Sequence, residues 1–79
     1  MPRYYFHVED DRTTFDNVGI ELRDIAAAHH EAVTAAGEIL RNGAAASLWT
    51  EKPWRMWVTD QPGGRGKTFF TLRFSATEG

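Results

Sequence analysis

Residues 24–43, D-I-A-A-A-H-H-E-A-V-T-A-A-G-E-I-L-R-N-G, most restrict what this chain can become. At 100° per residue, Ile25, Ala28, His29, Ala32, Val33, Ala35, Ala36, Ile39 and Leu40 share one side of a helix. His30, Glu31, Thr34, Glu38 and Arg41 fall on the other. The middle of the apolar stripe is alanine, with larger side chains at its margins. Such a helix can lie close against a surface that carries bulky groups, so the remainder of the chain has to supply that surface. Asp24 can accept from the free N–H groups of the first turn, and Asn42 and Gly43 form a stop signal. Gly37 falls toward solvent, where it weakens the helix without breaking it.

The flanks read as strands. Over residues 3–8, Tyr4, Phe6 and Val8 point one way and Arg3, Tyr5 and His7 the other, as in a strand with one buried face. A charged turn of Glu9, Asp10, Asp11 and Arg12 follows. Val18, Ile20 and Leu22 then alternate with Gly19, Glu21 and Arg23 in a short second strand, joined to the first as a hairpin. After the helix, residues 44–53 read as an ordered loop with Leu48 and Trp49 over one end of the core. Pro53 opens a third strand, in which Trp54, Met56 and Val58 alternate with Arg55, Trp57 and Thr59. Residues 60–67 are a turn rich in glycine, and residues 68–75 a fourth strand, with Phe70, Leu72 and Phe74 opposed to Phe69, Thr71 and Arg73. Residues 76–79 read as a frayed tail.

The expectation is one α+β domain over residues 1–79, β-β-α-β-β. It is a four-stranded, largely antiparallel sheet with a single helix on one face. The inner face would carry Tyr4, Phe6, Val8, Ile20, Trp54, Met56, Val58, Phe70, Leu72 and Phe74 against the alanine stripe. A chain of 79 residues buries only about 60% of the surface its unfolded form exposes. With no cysteine to cross-link it, the core relies on three Trp, five Phe and two Tyr. The net charge of −2 gives no global attraction to nucleic acid or anionic lipid. The opening M-P-R-Y-Y-F lacks the form of a secretory signal, and nothing approaches a membrane-spanning length, so the cytoplasm is the expected location.

Three segments together, M-P-R-Y-Y-F-H, G-I-E-L-R-D-I-A-A-A-H-H-E-A and V-T-D-Q-P-G-G-R, resemble a family of short uncharacterised alphaproteobacterial proteins that open M-P-R-Y-[FY]-F, a domain of unknown function. Arg3, Tyr4, Phe6, Gly19, Glu21, Leu22, Asp24, Ala28, Glu31 and Ala32 carry the likeness, with Asp60, Gly64 and Arg65 in the second turn. That turn is longer here by Gly66 and Lys67, which leaves the register of the last strand open. The resemblance implies a fold and a bacterial setting, and it brings no catalytic residue.

Motifs of chemistry are weak. Gly66, Lys67 and Thr68 end like a phosphate-binding loop, but Gln61 stands where its first glycine belongs and a strand follows where a helix is required. His29 and His30 diverge by about 100° on a helix and cannot easily share a metal ion. His7 with Asp10 or Asp11 is a conceivable metal or acid-base site, and a solvated turn is the simpler reading. Ser47 and Ser75 lack an elbow or oxyanion loop. The reading is non-enzymatic, with no cofactor and no metal.

The outer, helix-free face is less ordinary. Tyr5, His7, Arg55, Trp57, Phe69 and Arg73 should share it, and a solvated face has no use for so many aromatics. Self-association through this face is the expected function, with Trp57, Tyr5 and Phe69 as anchors and Arg55 and Arg73 at the rim. The alternative is single-stranded nucleic acid, held by stacking and by the arginines. A heterologous protein docked on the face or added to an open edge is a third reading. The simplest is that Trp49 or the 44–53 loop folds back over part of it, leaving ordinary scattered aromatics.

Overall fold

Alternation along the flanks and the helical period between them build the sheet and helix seen in the computed structural model, which describes residues 1–10, 12–44, 48–49 and 53–77. The elements are β1 (Arg3–Glu9), β2 (Thr13–Thr14), β3 (Ile20–Glu21), α1 (Ile25–Ile39), a π-helical turn (Leu40–Ala44), β4 (Trp54–Thr59), a 3₁₀ turn (Pro62–Gly64) and β5 (Thr68–Phe74). All the strand pairs are antiparallel, in the order β2-β1-β4-β5, with β3 also on β1. The expected α+β architecture is therefore present, with five strands among the described residues in place of four.

The extra strand is a correction to the first hairpin. Val18, Ile20 and Leu22 do not form one strand. β2 pairs with the far end of β1 (Val8↔Thr14) and β3 with its near end (Tyr4↔Ile20), while residues 15–19 leave the ladder between them. The physical reason is Asp16, whose carboxylate takes the Phe6 N–H at 3.1 Å, a bond that a continuous partner strand would have made through its backbone. Val18 and Ile20 end up exposed: Ile20 shares the inner face with its ladder partner Tyr4 but lies at the margin of that face, outside the core.

The core lies where the alanine stripe requires. Ala28, Ala32 and Ala36 are completely buried against Tyr4, Trp54, Met56 and Val58, with Phe6, Val8, Phe70, Leu72 and Phe74 around them. Asp24 caps the helix by accepting the Ala27 N–H at 2.9 Å. The buried arc is narrower than the stripe drawn from the sequence. Val33, about 100° round the helix from Ala32, is 61% exposed, and Ile25 is exposed too. The helix also ends differently: the Leu40 N–H reaches both Ala36 and Gly37 carbonyls, and the chain widens into the π turn, so Asn42 and Gly43 lie inside a turn instead of stopping one. Most of the loop expected at 44–53 lies outside the described residues. Of its two lid residues, Leu48 packs on the core and Trp49 is exposed. Of the tail, residues 78–79 are likewise outside them.

The β4–β5 connection spans residues 60–67 as expected and is closed by Asp60, whose N–H donates to the Lys67 carbonyl while its carboxylate accepts the Lys67 N–H. A bulge follows: Thr59 opposes Thr68 but Val58 opposes Phe70, which leaves Phe69 as the extra residue.

Candidate functional site

The helix-free face begins as the outward-pointing half of β1 and β4, and the chain itself covers much of it. Arg3, Tyr5 and His7 all meet residues 15–19. Arg3 donates to the Val18 carbonyl at 2.8 Å and pairs with Glu21, and a Cβ on Gly19 would fall 2.9 Å from the Tyr5 ring. The Gly19 backbone, at a φ of +75°, thus lies directly on Arg3 and Tyr5. His7 is fully buried. Its ring stands between Trp57 and Phe15, with centroid separations of 5.1 and 5.8 Å, and Phe15 meets Trp57 edge-on at 6.0 Å.

The second layer of cover is the Pro62–Gly64 turn. A Cβ on Gly64 would fall 2.7 Å from Phe15 and 3.5 Å from Trp57, so only the bare backbone fits there. Arg55 closes a further side by lying over the Trp57 ring at 4.0 Å while Glu9 holds it through Nε and Nη2 at 3.0 Å each. Trp57 retains 8% exposure.

Two of the three anchors read from the sequence are therefore not where a docking surface needs them. Trp57 is covered by Phe15, Gly64 and Arg55, and Trp49 is exposed. Phe69 is turned by the bulge toward the helix side, where it packs on Tyr4 at 5.3 Å. Tyr5 is half-covered by Gly19. Arg55 and Arg73 remain neighbours on the open side, directly opposed across β4 and β5. Arg73 is exposed and has no ion pair or hydrogen bond among the described residues.

A polar network that the sequence reading missed runs beneath the cover. The Asp16 N–H donates to His7 Nδ1 at 3.0 Å. That nitrogen is therefore an acceptor, which places the ring proton on Nε2, and Nε2–H donates to Thr59 Oγ1 at 2.8 Å. Thr59 passes its own proton to the Gln61 carbonyl at 2.6 Å. Every polar atom in this line has a partner of the right sense. Burial lowers the His7 pKa below the ordinary 6.5, against the opposing pull of the Asp16 charge. Burial pushes the Asp16 carboxyl up, but N–H donors from Gly19, Phe6 and Val18, with the His7 charge, outweigh it and leave it below 3.8. Both nitrogens of the His7 ring are engaged within this network, and of the acidic residues considered with it Asp11 lies outside the described residues. Among the described residues no group of three or more His, Asp or Glu side chains is placed to hold an ion.

The pattern of strands, helix and second turn coincides with a sequence family, because the profile of a domain of unknown function, DUF6894, matches residues 3–75. The chain belongs to this family. No curated protein and no solved structure matches it.

In this DUF6894 domain the two edges of the sheet differ. One edge is β2 and β3, two residues each with a loop between them, and it offers little continuous backbone. The other is β5, seven residues long. From Phe70 to Phe74 it pairs with β4 without interruption, and Arg73 is its sole charge. His29 stands edge-on over Phe70 at 4.7 Å, which puts this side of α1 above β5. Val33 lies one turn on from His29 along that rim and is exposed. No helix among the described residues is long and apolar enough to cross a membrane.

Proposed function

We propose that this DUF6894 domain is a small, non-enzymatic interaction module of the bacterial cytoplasm that self-associates, and that it does so by pairing β5 with β5 of a second copy. The observation that carries the reading is the asymmetry of the edges. Natural sheets blunt their edges with short strands, charge, proline or bulges. The β2/β3 edge is blunted, whereas among the described residues the Phe70 to Phe74 run pairs only with β4 and presents its other row of N–H and C=O groups with a single charge. A strand laid antiparallel against its own copy across a two-fold axis is self-complementary by construction, and it continues the sheet and its apolar face across the contact. Centred near Thr71, such pairing sets Phe70 against the partner's Leu72 and keeps the two Arg73 side chains apart. Val33, on the rim of α1 over β5, gains a neighbour in the same contact. The cysteine-free composition is compatible with a cytoplasmic setting, and the bacterial one rests on the family likeness of the opening residues.

Sedimentation over a dilution series, read with amide hydrogen exchange, tests this. Dimerisation with concentration-dependent protection of β5 amides is expected, as is its loss in Thr71→Lys, which places a charge at the axis on an exposed position. A monomer at all concentrations, or a dimer indifferent to Thr71→Lys and without β5 protection, overturns it.

A second reading is favoured by one observation, the Arg55 and Arg73 pair. Opposed like charges destabilise a sheet unless something offsets them, and Glu9 offsets only Arg55. A single-stranded nucleic acid would supply the missing anion to Arg73. Salt-sensitive binding of a mixed oligonucleotide that weakens in Arg73→Ala supports this reading, and no binding at low salt removes it.

A further inference from the structure

We propose that His7 is an acid-operated latch: protonating its ring releases residues 15–19 from the helix-free face and uncovers Trp57 while the rest of the sheet and the helix stay folded. The argument is one of hydrogen-bond sense. In the closed state Nδ1 accepts the Asp16 N–H and Nε2–H donates to Thr59, whose hydroxyl proton is committed to Gln61. An imidazolium is a donor at both nitrogens. Its Nδ1–H would point at the Asp16 N–H, donor against donor, at a ring that has no exposed surface of its own. The Asp16 carboxylate is the nearest charged acceptor, but it already takes the N–H groups of Phe6, Val18 and Gly19 at 2.9 to 3.1 Å. Turning it toward Nδ1 gives up those bonds, and they are what shape the segment. Either response moves residues 15–19.

The surroundings of the ring do not rescue the charged form. From β4 it meets Trp57 and Thr59, and Arg55 lies on Trp57, already paired with Glu9 from β1. From the covering segment come Phe15 and Asp16, and from the β4–β5 connection the Gln61 carbonyl, reached only through Thr59. The Asp16 charge favours protonation, and desolvation outweighs it. Release is local because the segment's other ties lie at the surface. β2 and β3 are two residues each, the Arg3 bonds to the Val18 and Gly19 carbonyls are exposed, Phe15, which packs on Gly64, is 48% exposed, and the backbone bond to the 3₁₀ turn, from Gly63 N–H to the Asp16 carbonyl, is long at 3.4 Å. The β1–β4–β5 ladder and the alanine face of α1 do not pass through it.

The test is a ¹⁵N NMR titration of the intact protein from neutral pH to about pH 3, a span that contains ordinary histidine and aspartate titration. The amides of Asp16, Val18 and Gly19 and the Trp57 indole N–H are expected to shift with the His7 ring signal, at a midpoint below 6.5. Met56 and Leu72 amides should hold their positions. In His7→Gln, whose amide both accepts and donates without titrating, that transition should vanish. Should His7→Gln not fold, Phe15→Ala serves. Its Trp57 indole signal at neutral pH should already lie where the parent arrives in acid, while the Asp16, Val18 and Gly19 amides still titrate. The proposal is overturned if those amides move only below 3.8 with Asp16 itself, if they titrate unchanged in His7→Gln, or if all signals move together in one unfolding step.

Discussion

The Asp16 carboxylate accepts from Phe6, Val18 and Gly19, and the Asp16 N–H donates to His7, so one residue sets the course of the chain from 15 to 19. Hydrogen bonds to a charged acceptor contribute roughly 1.5 to 3 kcal/mol each where water is excluded, and less where the N–H can rehydrate. Val18 is exposed, so Phe6 and Gly19 carry most of the effect. Asp16→Ala should lower stability by roughly 2 to 3 kcal/mol in urea unfolding and raise exchange at the Phe6 amide. Asp16→Asn should recover only part, since one of its two side-chain polar atoms becomes a donor facing a donor. An unchanged urea midpoint in Asp16→Ala would show that the backbone closes the β1 ladder without the carboxylate. This residue was not legible as a strand breaker, because F-D-N-V-G reads equally as hairpin turn and as the start of a strand until the Phe6 N–H is seen to need it. His7 and Trp57 were placed on the correct side of the sheet by alternation alone. Their burial was not legible, since it depends on Phe15 and Gly64 arriving from turns 42 and 7 residues away from Trp57, and alternation says nothing of what lies above a face.

Among the elements, α1 was the most legible, because a column of Ala28, Ala32 and Ala36 has only one use against a sheet bearing Trp54 and Met56. Its width was overread: the small side chains that let the axis approach also leave Val33 outside the contact. The β5 register was open for a definite reason. Alternation assigns faces only while the ladder is regular, and the bulge opposite Val58 and Thr59 sends Phe69 to the side of Phe70. Gly37 offers a test at this scale. A Cβ there meets nothing within 4 Å, and the position is exposed and helical. Gly37→Ala should stabilise the monomer by up to about 1 kcal/mol, or a rise in Tm of roughly 4 to 8 °C for a domain of this size. Gly37 lies one turn beyond Val33, on the rim of α1 above β5. A gain at low concentration that shrinks as concentration rises would mean that the second copy comes close to this rim, whereas an equal gain throughout would keep Gly37 out of the contact.

For the whole molecule, the latch and the fold are linked through protons. His7 has a folded pKa below 6.5, so between that value and 6.5 the unfolded chain binds more protons than the native one. Its contribution is present in full above 6.5 and is lost as pH falls through the window beneath it. Asp16, also depressed, adds a second loss that begins only near 3.8 and deepens below it. Stability to urea should therefore fall in two stages on acidification. The first is absent from His7→Gln and the second from Asp16→Ala. Local opening sets a limit on the first stage: once residues 15–19 have released and His7 is solvated, the native state binds that proton as readily as the unfolded one, and the slope returns toward zero. The plateau between the stages measures the free energy with which the segment closes over Trp57. A slope that continues without a plateau from 6.5 to the Asp16 range would mean that His7 stays buried until the whole domain unfolds.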